Sequence, residues 1–244
     1  MIASAFPLLL LGFSLGIRHA TDADHVIAVA TIVSRVRSLG VALLIGAMWG
    51  LGHTVTLMLI GGGILLFGLV VPPHVGLAME LTVALMLIGL GAYHLLRIYR
   101  AVRRGEPQAP AAEHHDGHRH GVGWADRVFG RSRLYVSLRP LLIGVVHGVA
   151  GSAAVALLVL TTVHDPRWGL GYIALFGAGT IAGMMLITGM LAVPFAYTSA
   201  RFGGMHRALG TAAALLSVGF GLFLAYDISI GSGLFTANPQ WTPG

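Results

Sequence analysis

The chain contains no cysteine and no lysine, and only 10% of its 244 residues are charged. Without cysteine there are no disulfides and no thiolate ligands, so any metal site must use imidazole, carboxylate, thioether or backbone oxygen donors. Without lysine the phosphate-binding loop Gly-x-x-x-x-Gly-Lys-[Ser/Thr] is excluded, so this chain does not bind ATP in that way. A soluble domain carries about 25% charged residues, so most of this chain belongs in lipid.

What the chain has in abundance is apolar sequence. Hydrophobic residues make up 56% of it, and the mean hydropathy is +0.82. A helix needs about 20 apolar residues to cross a bilayer of about 30 Å. The long apolar runs therefore predict an all-α integral membrane protein with about six transmembrane helices, at about 4–33, 40–70, 76–98, 139–163, 168–198 and 206–228.

The basic residues indicate how these spans are oriented. All fifteen are arginines, and they lie mostly beside the ends of predicted spans. Thirteen fall in connections on one side, only Arg167 falls on the other, and Arg18 lies inside the first span. The positive-inside rule then predicts that both termini are outside and that the 100–138 loop is cytoplasmic, in a multi-pass protein of the cytoplasmic membrane. This rule also explains the pI near 10.5 without a nucleic-acid partner.

The two halves of the chain resemble each other. Several motifs recur at offsets of 127 to 130 residues: Gly16-x-x-His19 as Gly144-x-x-His147, Trp49-Gly50-Leu51-Gly52 as Phe176-Gly177-Ala178-Gly179, and Gly89 with Gly91 as Gly219 with Gly221. We predict two three-helix repeats, residues 1–99 and 139–230, followed by an extracytoplasmic tail at 231–244. Because three is an odd number of crossings, the second repeat is inverted in the membrane. Inverted repeats that share a midplane site are a transporter architecture.

The first predicted span contains a charged segment, with Arg18, His19, Asp22, Asp24 and His25 inside an apolar run. Ionisable side chains at membrane depth cost at least ~2.5 kcal/mol each, so they mark a site or a pathway by default. Two imidazoles and two carboxylates are suitable ligands for a divalent transition metal. The alternative is a buried ion-pair network that locks helices together. However, two carboxylates and one arginine leave negative charge that still requires a cation.

Two geometries are open for this segment. On an unbroken helix Arg18, Asp22 and His25 share one face, His19 lies to one side, and Asp24 points away. Either Arg18 neutralises Asp22 and another subset of the residues binds the ion, or the helix unwinds locally near Gly16. Unwound backbone at membrane depth is tolerated where it lines a cavity.

Further histidines extend the candidate metal site. We expect His53, in the second span, to complete the coordination begun by the first; alternatively it is a hydrogen-bonded packing residue. His147 occupies the position equivalent to His19 and is either a ligand, a residue that orients a ligand, or part of a helix-packing motif. The loop residues His114, His115, His118 and His120 form either an auxiliary metal-binding cluster or part of a solvated loop.

At Arg18–His25 the sequence resembles the nickel/cobalt transporter family (NiCoT). Its hallmark is a histidine, four residues, then Asp-His in a membrane helix, as in His19-Ala20-Thr21-Asp22-Ala23-Asp24-His25; Leu51-Gly52-His53-Thr54 resembles its second motif. A later Asp/Thr-rich motif is replaced by His147-Gly148-Val149-Ala150-Gly151-Ser152. In these features the chain is similar to the shorter, urease-accessory-type branch.

The resemblance implies Ni²⁺ or Co²⁺ transport, with His19, Asp24, His25 and His53 as functional residues. It implies uptake, whereas the residues are equally compatible with efflux. The metal is then the transported substrate, and no catalytic cofactor is expected. Two other classes stay open: a membrane metalloenzyme, although no His-Glu-x-x-His motif is present, and a metal sensor that reads the histidine-rich loop. A metallochaperone partner and the oligomeric state are left open.

Overall fold

The computed structural model describes residues 2–34, 36, 38–68, 71–104, 138–150, 165–201 and 203–241. All regular secondary structure in these residues is helical. The helices are α1 (Ile2–His19), α2 (Ala23–Val33), α3 (Leu39–Phe67), α4 (Pro73–Arg103), α5 (Leu138–Ala150), α6 (Pro166–Arg201) and α7 (Gly203–Tyr226), which continues into a π-helical turn, Asp227–Gly231.

Four of these helices are long and apolar enough to cross a membrane: α3, α4, α6 and α7. Each contains an 18-residue window with a mean hydropathy between 1.7 and 2.0. Their outward faces carry exposed leucines and aromatic residues, among them Leu59, Phe67 and Leu216. Such faces suit contact with lipid rather than water. The prediction of an all-α, multi-pass membrane protein is confirmed, and these four helices match the predicted spans 40–70, 76–98, 168–198 and 206–228.

The ends of these helices follow from local sequence. Helix α3 ends at Phe67 because Gly68 adopts a left-handed conformation, with φ +63°, which glycine adopts without strain. Helix α4 begins at Pro73, whose missing N–H would be unpaired in a first helical turn anyway. Helix α5 covers only the beginning of the predicted span 139–163, since residues 151–164 lie outside the described residues.

Of the two geometries left open for the predicted first span, 4–33, the structure has the interrupted one, because this span is not one helix. Helix α1 ends at His19, residues 20–22 form a turn, and α2 starts at Ala23. The Thr21 hydroxyl donates to the Arg18 carbonyl at 2.6 Å, which gives the backbone an alternative to helix. Asp22 is then extended (φ −61°, ψ 147°) as the N-cap of α2.

The break lies four residues beyond Gly16, the residue near which the sequence suggests unwinding. Gly16 itself is helical, and its role is close packing. A Cβ there would collide with the Phe176 carbonyl oxygen and approach the Thr180 nitrogen of α6 to 2.9 Å. Glycine therefore permits the two backbones to come together, as small residues do between membrane helices.

Close glycine contacts also fix the relative directions of the helices. A Cβ on Gly46 would lie 2.6 Å from the Met184 oxygen, and one on Gly50 would lie 2.7 Å from the Ile181 Cα. As residue numbers rise along α3 they fall along α6, so these helices are antiparallel. Along α1 and α6 both numbers rise, from Gly12 beside Tyr172 to Gly16 beside Phe176, so these two helices run parallel.

The contacts recur between the two halves with their partners exchanged. Gly16 of α1 packs against the Phe176 carbonyl of α6, and Gly144 of α5 packs against the Trp49 carbonyl of α3. Gly16 and Gly144 are 128 residues apart, and Trp49 and Phe176 are 127 apart. This exchange is the pattern expected of two units related by a two-fold axis. It supports the predicted inverted repeat; the repeat units 1–99 and 139–230 and their membrane topology stay predictions.

The same exchange holds for α4 and α7. A Cβ on Gly91 would meet Ala214 and Val218 of α7, and one on Gly221 would meet Ala84 and Ile88 of α4. Each of these residues in α4 and its equivalent in α7 are 130 positions apart in the sequence. The Ser217 hydroxyl also donates to the Leu87 carbonyl at 2.8 Å across this pair of helices.

The end of the chain, predicted as a tail at 231–244, packs on α4 as far as Trp241. The Trp241 indole N–H donates to Glu80 Oε1 at 2.8 Å, and its ring covers Gly76. Leu234 is buried against Leu77. The tail therefore covers the N-terminal part of α4.

We expect two neighbouring glycines of α7 to respond differently to alanine. A Cβ at Gly221 would lie 2.8 Å from the Ala84 oxygen, whereas no described atom lies within 4 Å of one at Gly219. Gly221→Ala should therefore force α4 and α7 apart and lower the free energy of unfolding by about 1–3 kcal/mol. Gly219→Ala should be neutral or stabilising by up to about 1 kcal/mol. Thermal unfolding of the purified variants in detergent measures the difference; equal midpoints would contradict this packing.

Candidate metal site

The break between α1 and α2 brings together two histidines that an unbroken helix would separate. His19 ends α1 and His25 lies in the first turn of α2. Over six residues a continuous helix rises about 9 Å and turns these side chains to different faces. In the structure the centroids of the two rings are 4.8 Å apart. The turn at residues 20–22 is therefore what forms the candidate site.

His53 of α3 joins these two residues. Its ring centroid lies 5.0 Å from that of His19 and 5.5 Å from that of His25. One ring nitrogen from each of His19, His25 and His53 lies within 4.8 Å of the others. Metal–imidazole bonds of ~2.0–2.1 Å place the nitrogens around a tetrahedral ion about 3.4 Å apart. Small rotations of the three rings would therefore allow them to bind one ion.

Four of the six ring nitrogens of this group are buried and have no hydrogen-bond partner among the described residues. His53 is fully buried, and His25 is 2% exposed. In the part of the chain that the structure describes, Nε2 of His19, Nε2 of His25 and both nitrogens of His53 have no hydrogen-bond partner. Because buried polar atoms are almost always hydrogen-bonded, four unpaired nitrogens in one buried group of histidines are well suited to bind a cation.

Two carboxylates contact the Nδ1 atoms of His19 and His25. Asp22 Oδ2 lies 2.8 Å from His19 Nδ1, and Asp24 Oδ1 lies 3.0 Å from His25 Nδ1. A carboxylate at one ring nitrogen orients the ring and leaves the opposite nitrogen for a metal. In both residues that opposite nitrogen is the unpaired Nε2.

A second group of potential ligands lies beside the first. One donor atom from each of Asp24, His25 and His147 lies within 4.8 Å of the others. His147 of α5 is 2% exposed, and its Nε2 lies 3.6 Å from Asp24 Oδ2. Its ring centroid is 4.7 Å from that of His25. His25 thus belongs to both groups.

Two aromatic side chains border the site, although in the sequence they stand out only as members of the repeated motifs. The Trp49 ring lies 5.0 Å from the His147 ring, and the Phe176 ring lies 5.5 Å from the His19 ring, measured between centroids. The signal that could have found them is the repeat itself, since His19 corresponds to His147 and Phe176 to Trp49.

The structure thus brings together His19, Asp22, Asp24, His25, His53 and His147 among the predicted site residues. The alternative Arg18–Asp22 ion pair is not made between these two described residues: Asp22 contacts His19, and Arg18 is exposed. The break in the helix removes the i,i+4 alignment on which that pair depends. The predicted loop histidines His114, His115, His118 and His120 lie outside the described residues.

Comparisons with known proteins point to the same chemistry. The profile of the NicO family, described as high-affinity nickel-transport protein, matches residues 5–219. The chain is 35% identical over 228 residues to the urease accessory protein UreH of Bacillus sp. (strain TB-90), an alignment that covers 93% of this chain and 94% of that protein. No solved structure matches the chain.

These matches confirm the resemblance seen in the motifs around His19 and His53. They also bear on the class of activity, because nickel is the transported substrate of such a family and not a catalytic cofactor. Since the matched residues cover most of the chain, the assignment does not depend on a local motif. The chain belongs to the NicO family of high-affinity nickel-transport proteins.

Proposed function

We propose that this protein takes up Ni²⁺ or Co²⁺ across the cytoplasmic membrane and that His19, His25 and His53 bind the ion on its way. The observation that carries the proposal is that each of these three histidines places a ring nitrogen within 4.8 Å of the others. Each also has a buried ring nitrogen with no hydrogen-bond partner among the described residues. Neutral imidazole is a good ligand for both ions. Helices α1, α2 and α3 supply these ligands from inside the helical bundle.

The two aspartates balance the charge of the ion. An uncompensated divalent cation in a low-dielectric interior costs tens of kcal/mol, so it requires opposite charge nearby. Asp22 and Asp24, both beside the break, supply two negative charges. In this proposal Asp22 acts through the His19 ring, with which it makes a 2.8 Å contact, rather than as a direct ligand.

The path of the ion follows from the proposed repeat. In inverted-repeat transporters the substrate sits where the two repeats meet, often at a discontinuous helix. The break between α1 and α2 supports that arrangement here. So do the equivalent contacts of Gly16 with Phe176 and of Gly144 with Trp49. Both termini are outside in this proposal, and the arginine-rich loop at 100–138 is cytoplasmic.

Replacing ligands should abolish transport. We expect His19→Ala, Asp24→Ala and His25→Ala each to lower accumulation of radioactive nickel by more than about tenfold, since loss of even an indirect partner costs about 10–100-fold. Thr180→Val is the matched control, because Thr180 is buried at the position equivalent to His53 but its hydroxyl donates to the Phe176 carbonyl at 3.0 Å.

Accumulation is measured in whole cells, with membrane insertion checked by immunoblot. Wild-type accumulation by the His19→Ala variant would overturn the site. Lower nickel content in cells that express the wild-type protein than in cells without it would replace uptake by efflux.

Trp49 provides a binding signal that does not depend on transport. Its ring lies 5.0 Å from the His147 ring and 6.3 Å from the His25 ring. A paramagnetic ion such as Co²⁺ or Ni²⁺ bound there should quench its fluorescence. Titration of the purified protein should therefore show quenching that Trp49→Phe removes and that Trp168→Phe, at an exposed position near the start of α6, retains. Identical quenching in both variants would place the ion elsewhere.

The topology is tested by reporter fusions. A reporter after Gly244 should be active only on the outer face, and one within residues 105–118 only on the cytoplasmic face. The physical reason is the excess of arginine in the connections assigned to the cytoplasm. Cytoplasmic activity of the C-terminal fusion would remove the inverted repeat, which needs an odd number of crossings in each unit.

A further inference from the structure

We infer that the site holds the ion in two alternating positions that share His25. The first position is formed by His19, His25 and His53, and the second by Asp24, His25 and His147. This inference rests on the proposed transport function, and it adds a second binding position and a role for the second half of the chain.

The ring contacts separate the two positions. The His19 ring contacts those of His25, His53 and Phe176. The His147 ring contacts those of His25 and Trp49. His25 lies 4.8 Å from His19 and 4.7 Å from His147, between ring centroids, and it is therefore about equally close to both.

The two ends of this arrangement are equivalent in the repeat. His19 with its neighbour Phe176 corresponds to His147 with its neighbour Trp49, at offsets of 128 and 127. Each of these histidines also has a carboxylate beside it: Asp22 at 2.8 Å from His19 Nδ1, and Asp24 at 3.6 Å from His147 Nε2. In an inverted repeat, equivalent positions face opposite sides of the membrane. The His19 and His147 ends would then open to opposite sides.

Because both positions include His25, the ion can move from one position to the other while it keeps this ligand. An ion that left three imidazoles at once would lose its ligands in a buried site, which is costly. If His25 stays bound, the ion exchanges His19 and His53 for Asp24 and His147 and is never without protein ligands. Because two divalent ions held on either side of one imidazole ring would repel each other strongly, we do not expect both positions to be filled together. The inference therefore predicts one bound ion per chain.

The donors of the second position come mostly from the first half of the chain. The position equivalent to His53 is Thr180, and its hydroxyl is occupied by the Phe176 carbonyl. The residues at offset 128 from Asp24 and His25 are Ser152 and Ala153, which supply neither carboxylate nor imidazole. His147 is thus the contribution of the second half, and it should be needed for transfer of the ion rather than for its first binding.

The test compares binding with transport in the full-length protein reconstituted in lipid nanodiscs and vesicles. Co²⁺ is the probe, because its visible absorption reports ligand type and number while titration calorimetry gives stoichiometry and affinity. We expect one ion per chain in the wild type. His147→Ala and His147→Gln should keep Co²⁺ affinity within about threefold but lose at least about tenfold in Co²⁺ flux into vesicles.

The complementary variants complete the design. His19→Ala should still bind Co²⁺ through the second position, with an altered absorption spectrum, and should also lose flux. His25→Ala should lose binding at both positions, and the control Thr180→Val should match the wild type in binding and in flux. Size-exclusion profiles identify any variant that fails to fold. If His147→Ala fails to fold, His147→Gln takes its place in the comparison.

Several results would overturn the inference. Wild-type flux in both His147 variants would remove the second position. Loss of binding in His147→Ala and His19→Ala as complete as in His25→Ala would indicate a single site that uses all the ligands together. Two ions per chain would exclude alternation of a single ion between the two positions. A wild-type protein that neither binds nor transports Co²⁺ or Ni²⁺ would instead remove the proposed function itself, which none of the preceding results does.

Discussion

The candidate site depends on one interruption of backbone hydrogen bonding in the first span. The Thr21 hydroxyl bonds the Arg18 carbonyl, Asp22 becomes extended, and the helix restarts at Ala23. Without that turn, His19 and His25 would lie on different faces about 9 Å apart along the axis. With it, they converge and their Nε2 atoms are left unpaired among the described residues. The helix interruption, which is costly in a membrane, is therefore the feature that forms the site.

Close packing at glycines positions His53 and His147 at the site. Helix α5 packs closely on α3 because Gly144 and Gly148 have no side chains. Gly144 lies against the Trp49 carbonyl, and a Cβ on Gly148 would lie only 2.7 Å from the His53 oxygen. A larger residue at either position would separate the two helices and withdraw His147 from Asp24. The glycines thus act on the geometry of the site although none of them offers a ligand.

Much of this arrangement is predictable from the sequence, for identifiable physical reasons. Long apolar runs predict the four long helices because crossing lipid sets a minimum length. Ionisable residues at membrane depth are expensive, and this cost marks the whole charged segment from Arg18 to His25 as a candidate site. The family resemblance then implies His19, Asp24 and His25 within it. His53 follows from its glycine context and from the family motif. These inferences rest on strong, local constraints.

Other features are not predictable from the sequence, because they depend on contacts distant in the chain or on small differences in energy. Neither glycine nor proline lies at residues 20–22, so the sequence suggests a break near Gly16 instead. The pairing of Asp22 with His19, rather than with Arg18, is a consequence of the actual break. Trp49 and Phe176 border the site because α3 and α6 pack beside α5 and α1. In the sequence only the repeat relates these two residues, and it does not by itself place them at the site.

The distribution of charge links the candidate site to the break between α1 and α2. Both aspartates that contact the candidate ligands lie beside the break, Asp22 before α2 and Asp24 within its first turn. The described part of α3, α5 and α6 brings histidines and aromatic rings to the site but no carboxylate. The negative charge that would balance a divalent ion therefore lies at the break between α1 and α2 rather than on the helices packed around it. The break thus supplies both the approach of His19 to His25 and the charge that a buried divalent ion requires.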